Sequence, residues 1–268
     1  MSTEIEETER SAGIGRKPLP FHHAVWTLFL VQLSNWRWSW RGMVITGMVA
    51  PILTLAAMGV FAKESGGQAV HQVFVGSLTL ALLFETQNKV AGNFAFMKFN
   101  DAFDFYAALP VRPQAFIVAT AAAFTLLALP ALVCTTLFGV LILGLDVSLS
   151  PLAVPVLLAV VLPFVGYGAW LGSRANSLEE AGSLSLLSVL AMVSLGPVAV
   201  PAHLLPDFLV WIGWANPAFY ASSLLRQVFF GPVDGTTAVY FGVLLGYLLL
   251  MWVLSSKRIA GFGGTAES

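Results

Sequence analysis

Of the 268 residues 57% are hydrophobic and only 10% are charged, with a mean hydropathy of +0.82, whereas a water-solvated domain carries about 25% charge. A formal net charge of −1 says nothing about nucleic acid and no basic run suggests it, while the single cysteine, Cys134, excludes an internal disulfide and a thiolate metal cluster. The fold class that remains is an all-α integral membrane protein.

Residues 1–17 hold Glu4, Glu6, Glu7, Glu9, Arg10, Arg16 and Lys17 with no apolar run, so they read as a disordered cytosolic tail rather than a signal peptide. Within 18–38 the apolar run is short, with only about ten apolar-rich residues between His23 and Ser34, under the ~20 needed to cross a bilayer core of about 30 Å. The cluster Asn35 to Arg41 sets Trp36, Trp38 and Trp40 among Arg37 and Arg41, and such side chains favour the headgroup layer. Residues 18–38 read as an N-terminal interfacial amphipathic helix on the cytosolic face.

Six spans are expected next, at 42–62, 70–91, 114–143, 151–173, 182–201 and 235–256. Lys63 to Gly67 form a tight turn after the first, and Pro130 is a kink in the third. Glu85 and Lys89 lie in the last third of the second span, four residues apart in the favourable order. They are expected to pair near its cytosolic end, either as an ion pair reaching toward the interface or as a cytosolic gate.

Between the second and third spans runs Phe99 to Phe116, FNDAFDFYAALPVRPQAF. On a helix Asp101, Asp104 and Tyr106 fall toward one side, while Phe105, Ala108 and Leu109 fall on another. Pro110 ends that helix and Pro113 starts the next. The segment reads as a short amphipathic helix at the membrane surface, although any connector between spans also needs polar residues and prolines.

Residues 202–232 require a choice. Asp207 to Leu225 is apolar enough to cross, but Asn216 and Pro217 interrupt it. A seventh span would carry Lys257 and Arg258 outside. With six, only Lys63 and Arg226 of the 13 Lys and Arg residues lie outside, as the positive-inside tendency requires. We therefore expect an outer re-entrant helical hairpin at 202–232, in which Asn216, Pro217 and Tyr220 shape the extracellular mouth. Arg226 is expected to find a carboxylate or carbonyl partner there. Residues 261–268 form a second cytosolic tail, so both termini are cytosolic and the protein is multi-pass in the cytoplasmic membrane.

No nucleotide-binding GxxxxGK[ST] loop, HExxH or GxSxG sequence occurs, and there is no internal repeat of the kind many carriers show. The chain is thus a membrane protein without an energy source of its own. A non-transporting scaffold, an ion-coupled carrier and an intramembrane enzyme are the competing classes. Against the last two weigh the scarcity of buried charge and the lack of a paired polar constellation.

Several features taken in order carry a family resemblance. A surface helix precedes the first span, and Phe74-Val75-Gly76 opens the second. Asp104 to Val111, DFYAALPV, forms the loop after it, and Leu205-Pro206, Asn216-Pro217, Tyr220 and Arg226 follow the fifth. From about residue 20 onward the chain resembles the membrane (permease) subunit of type-2 ABC exporters. Lys98-Phe99-Asn100-Asp101 departs from the arginine-glutamate-arginine-glycine type of run common in that family's loops.

The resemblance implies an exporter of two permease subunits, a homodimer or related heterodimer, and two copies of a separate ABC ATPase that binds ATP and Mg. This chain would bind no cofactor or metal, catalyse nothing itself, and contact membrane lipid but no nucleic acid. Asp101, Asp104, Phe105, Tyr106, Leu109 and Pro110 would form the coupling helix that meets the ATPase and moves the first, second and fifth spans. The apolar walls of the spans suit a hydrophobic or amphipathic cargo, a drug-like molecule or a lipid.

Overall fold

The computed structural model describes residues 19–35, 40–100, 102–107, 111, 113–148 and 150–262. Every regular element among them is helical. Helix α1 (Phe21–Asn35) buries one stripe, Ala24, Leu28 and Gln32, at four-residue spacing against the start of α6 (Pro113–Leu143). Gln32 donates to the Thr120 hydroxyl across that contact at 3.0 Å. The exposed side of α1 mixes Trp26, Leu30 and Val31 with His22, His23 and Thr27.

Helix α2 (Trp40–Ser65) reverses at Gly66, whose φ of 105° is a conformation that glycine adopts at little cost. Helix α3 (Gly67–Leu83) then passes through one π-helical turn, Phe84–Asn88, into α4 (Lys89–Phe99) without a break. The expected second span, 70–91, is thus part of a 33-residue helix, Gly67–Phe99. It continues because its polar residues find partners inside the protein. Asn93 reaches the Met97 sulfur at 3.6 Å, and Lys98 donates to the Ala175 carbonyl at 2.8 Å.

This helix is the axis of the molecule. Of its most apolar stretch 72% is buried, against 28% of that of α2 or α6, so the others pack around it. Around it stand α2, α6, α7 (Ala153–Arg174), α8 (Leu178–Ser194) and α10 (Pro217–Phe230), while α11 (Gly235–Phe262) lies outside, against α7 and α10.

Among the described residues five helices are long and apolar enough to cross a bilayer, within Gly47–Glu64, Gly67–Phe99, Gln114–Leu143, Ala153–Arg174 and Gly235–Ser255. The span expected at 182–201 is not one of them. Helix α8 has 17 residues, about 25 Å, and stops before Gly196 (φ 131°) and Pro197. The chain continues irregularly through 195–201, laid against α3 where Gly76 leaves room for the Ala199 backbone. Gln72 donates to the Pro197 and Val198 carbonyls at 2.9 and 2.8 Å, so these backbone groups are satisfied.

A short 3-10 turn (Ala202–Leu204) and α9 (Asp207–Gly213) lead to Asn216 and α10. Residues 207–226 are therefore two helices and not one. Cross-connections define two ends. Lys63 bonds to Ile142, and Ser148 and Ser150 bond to the end of α10, at the end that holds Gly66. Lys98, Ala175 and the short helix α5 (Ala102–Ala107) lie at the other.

Candidate functional site

The first candidate region is the connector around α5. Asp101, Leu109 and Pro110 lie outside the described residues, and of Asp104 and Phe105 only the backbone, within α5, is described. Phe103 and Tyr106 are one helical turn apart and both turn inward. Phe103 meets Phe94 of α4 with ring centroids 5.8 Å apart, Tyr106 meets Phe116 of α6 at 5.0 Å, and Phe94 meets Phe116 at 5.8 Å. Such pairs contribute about 0.5–1.5 kcal/mol each beyond their burial. Burial also holds the Tyr106 phenol above its ordinary pKa. This aromatic mount fixes α5 to the end of α4 and the first turn of α6. Lys98 ties the same end of α4 to the end of α7.

The second region lies inside the long helix. Glu85 is 1% exposed, and its Oε2 accepts from Lys89 Nζ at 2.5 Å. Its Oε1 is buried without a hydrogen bond and rests where a Cβ on Gly47 of α2 would sit. The pair is not near the end of its helix, as the sequence led us to expect. It stands about 27 Å from Gly67 and 21 Å from Phe99, because the helix runs on beyond residue 91. Two residues on, Gln87 donates to Ser188 of α8 at 2.6 Å, and the π turn aims this group of polar side chains at several neighbours.

The third region is the junction after α8. Asn216 Nδ2 donates to the Met192 and Leu195 carbonyls at 2.6 and 2.8 Å, while its Oδ1 accepts from the Ala218 N–H at 3.0 Å. One side chain thus closes the end of α8 and caps the start of α10, with Pro217 in the first helical position, where it lacks nothing. Tyr220 donates to the Trp214 carbonyl at 2.6 Å and Tyr247 to that of Ala215.

Arg226 departs from expectation. It is exposed and makes no hydrogen bond or ion pair among the described residues. The carboxylate nearby, Asp234, is taken up by Thr236 and Gln227.

The sequence model of the family described as "ABC-2 type transporter" matches residues 23–230, from α1 to the end of α10. The chain belongs to the ABC-2 type transporter family. Domains of this family are membrane transport subunits that work with an ABC ATPase. Among curated proteins none matches the chain.

In this ABC-2 domain several contributing residues escaped the sequence reading. Gly168 and Gly172 let α7 approach the Gln87 and Ala91 carbonyls so closely that a Cβ on either would overlap them. Their G-xxx-G spacing was a signal for close helix packing. Ser177 caps α8 by accepting from the Glu180 N–H at 3.0 Å, and Glu180 reaches back to the Asn176 N–H at 2.7 Å. The S-x-x-E spacing announces such a helix start. Gln72 and Gln32 had no sequence signal, since an isolated glutamine in an apolar run does not say what it faces.

Proposed function

We propose that this ABC-2 domain is the transmembrane subunit of an ATP-driven exporter that moves a hydrophobic or amphipathic substrate out of the cell. Two such subunits pair, and two copies of a separate ATPase, carrying the ATP and Mg, dock on the cytosolic side. The observation that carries this reading is the aromatic mount of Phe94, Phe103, Tyr106 and Phe116. A six-residue helix in a floppy loop could not transmit a displacement, whereas one clamped to two long helices can.

On this reading α5 is the coupling helix, Asp101, Asp104, Phe105, Leu109 and Pro110 face the ATPase, and Tyr106 anchors the helix inward. Both termini and α1 are cytosolic, and α1 lies along the inner interface. The short α8, completed by 195–201, is the sixth crossing, and 202–232 is the outer re-entrant hairpin. Support comes from the two ends of the fold, since α5 and the Arg174-bearing turn share one end and Gly66, Ser148 and Gly231 the other. The apolar character of the spans supports the substrate class.

The test is co-purification of the tagged chain with an ABC ATPase after mild detergent extraction. Reversing the charges of Asp101 and Asp104 together should abolish co-purification and transport-stimulated ATP hydrolysis while membrane insertion is unchanged. Assembly and transport that survive the double reversal refute the coupling role.

One observation favours a second reading, an ion-coupled carrier, because Glu85 is buried at mid-helix. Transport that runs on a proton gradient after ATP depletion and stops in Glu85→Gln would establish that reading instead.

A further inference from the structure

Helices α7 and α8 are joined by the turn at 175–177, and both line a cleft of about 460 Å³. That volume falls within the roughly 300–1,000 Å³ of clefts that hold small molecules. Its two ends differ in chemistry. At the turn stands Arg174, exposed, its guanidinium 5.1 Å above the Trp170 ring, with Tyr167 beside Trp170 at 5.8 Å. Further along, the wall is Leu184, Leu187 and Ala191 of α8, and Leu187 is 64% exposed.

The charge of Arg174 is not neutralised within this cleft. Among the described residues it has no ion pair, and the carboxylate that shares the cleft, Glu180, is bound by the Asn176 N–H and Nδ2 at 2.7 and 3.4 Å. Stacking on an indole fixes the guanidinium without using up its N–H donors. Arg174 also closes the apolar segment Ala153–Arg174, so it stands at headgroup level when α7 spans the bilayer.

A planar, donor-rich cation at that level, with an apolar slot leading away from it toward the bilayer interior, has the shape of one lipid. We propose that the α7–α8 cleft is a binding site for one anionic phospholipid of the surrounding leaflet. Its phosphate sits on Arg174, its headgroup lies against Trp170 and Asn176, and an acyl chain runs along Leu184, Leu187 and Ala191. Arginine pairs with phosphate through two parallel N–H donors, which a lysine cannot reproduce, and basic pockets between membrane helices hold anionic headgroups. Ser188, on the same wall, accepts from Gln87 of the π turn, so the bound lipid touches a residue tied directly to the central helix. The site does not depend on the direction or the cargo of transport.

The test is native mass spectrometry of the full chain released from bilayers of phosphatidylcholine and phosphatidylglycerol in equal amounts. One phosphatidylglycerol should remain per chain. Arg174→Gln should lower its retention about tenfold, the loss of one charge-assisted contact, and Arg174→Lys by less. Leu187→Trp, which fills the slot, should expel the lipid with Arg174 intact, and Leu186→Trp, outside the residues that line the cleft, should not. Retention unchanged in both Arg174→Gln and Leu187→Trp overturns the proposal, as does wild-type protein that carries no phosphatidylglycerol. It is equally overturned if Leu187→Cys, in a Cys134→Ala background, cross-links two chains in the bilayer, since the cleft would then be covered by a second copy.

Discussion

Gly47 is a glycine because Glu85 fills the space that its side chain would need. Gly47→Ala should therefore displace the carboxylate from its lodging on α2 and lower the unfolding temperature in detergent by an amount worth about 1–3 kcal/mol. The ion pair itself calls for a comparison of single and double variants. Glu85→Leu leaves the Lys89 charge inside the helix bundle and should cost roughly 3–5 kcal/mol. Glu85→Leu with Lys89→Met removes both charges and should cost much less, as thermal melts of the three proteins would show. Equal losses in single and double variants would mean that the pair contributes only packing. A milder case is Asp234, whose Oδ1 accepts from the N–H and hydroxyl of Thr236 at the start of α11. The Thr236 hydroxyl, more than its backbone, holds the Asp234 carboxyl below its ordinary pKa of 3.8. A carboxylate with a lowered folded-state pKa stabilises fully above the unfolded value and loses that contribution as the pH falls through the folded value. Melting curves of the wild type and Asp234→Asn should accordingly differ above about pH 4 and converge below it.

At the scale of elements, the end of α8 and the start of α10 depend on one side chain. Asn216→Ala removes two donated bonds and a helix cap and should cost about 2–3 kcal/mol. Asn216→Asp keeps the cap acceptor but sets a carboxylate against the Met192 and Leu195 carbonyls, so it should melt no higher than the alanine variant. On α7, Gly172→Val should push the helix away from the Ala91 carbonyl, and hydrogen exchange at 87–91 should rise where Gly182→Val, in open space, leaves it unchanged. Much of this layout was legible where a residue type has one strong local consequence. Pro113 starts a helix, Asn216 and Pro217 interrupt the apolar segment, Gly66 turns the chain, and Glu85 and Lys89 meet across one helical turn. The errors arose where tertiary partners decide. The span expected to end at 91 runs on to Phe99, since the Met97 sulfur and the Ala175 carbonyl receive Asn93 and Lys98. The π turn at 84–88 is too short for its wider period to register in the sequence, and the Met192 and Leu195 carbonyls at the end of α8 accept from Asn216, 24 and 21 residues later. The α5 mount could be anticipated only as a cluster of aromatic residues, because nothing in FNDAFDFYAALPVRPQAF says that Phe103 and Tyr106 turn inward.

For the whole molecule, the aromatic mount makes α5 inseparable from the central helix, and Phe103→Ala should uncouple them. Such a variant is expected to insert normally and hold its ATPase, yet lose transport, which ATP hydrolysis and substrate efflux measured side by side would reveal. Loss of both activities together would instead place Phe103 at the docking surface. The long helix has a further mechanical property. It is pinned near one end by Gln72 and by the Ala199 backbone in the notch of Gly76, braced at mid-length by Gly168 and Gly172, and loaded at the other end through Phe94. A rod held at two points and pushed at its tip cannot slide along its axis, and it can only pivot about its brace. The lever arms follow from the rise of 1.5 Å per residue: about 12 Å from the brace at Ala91 to Phe99, and about 22 Å from Ala91 to Gly76. On the proposed coupling role, a small sideways thrust at α5 would therefore arrive at the far end enlarged nearly twofold, and it is the irregular segment 195–201 that would have to give way to it.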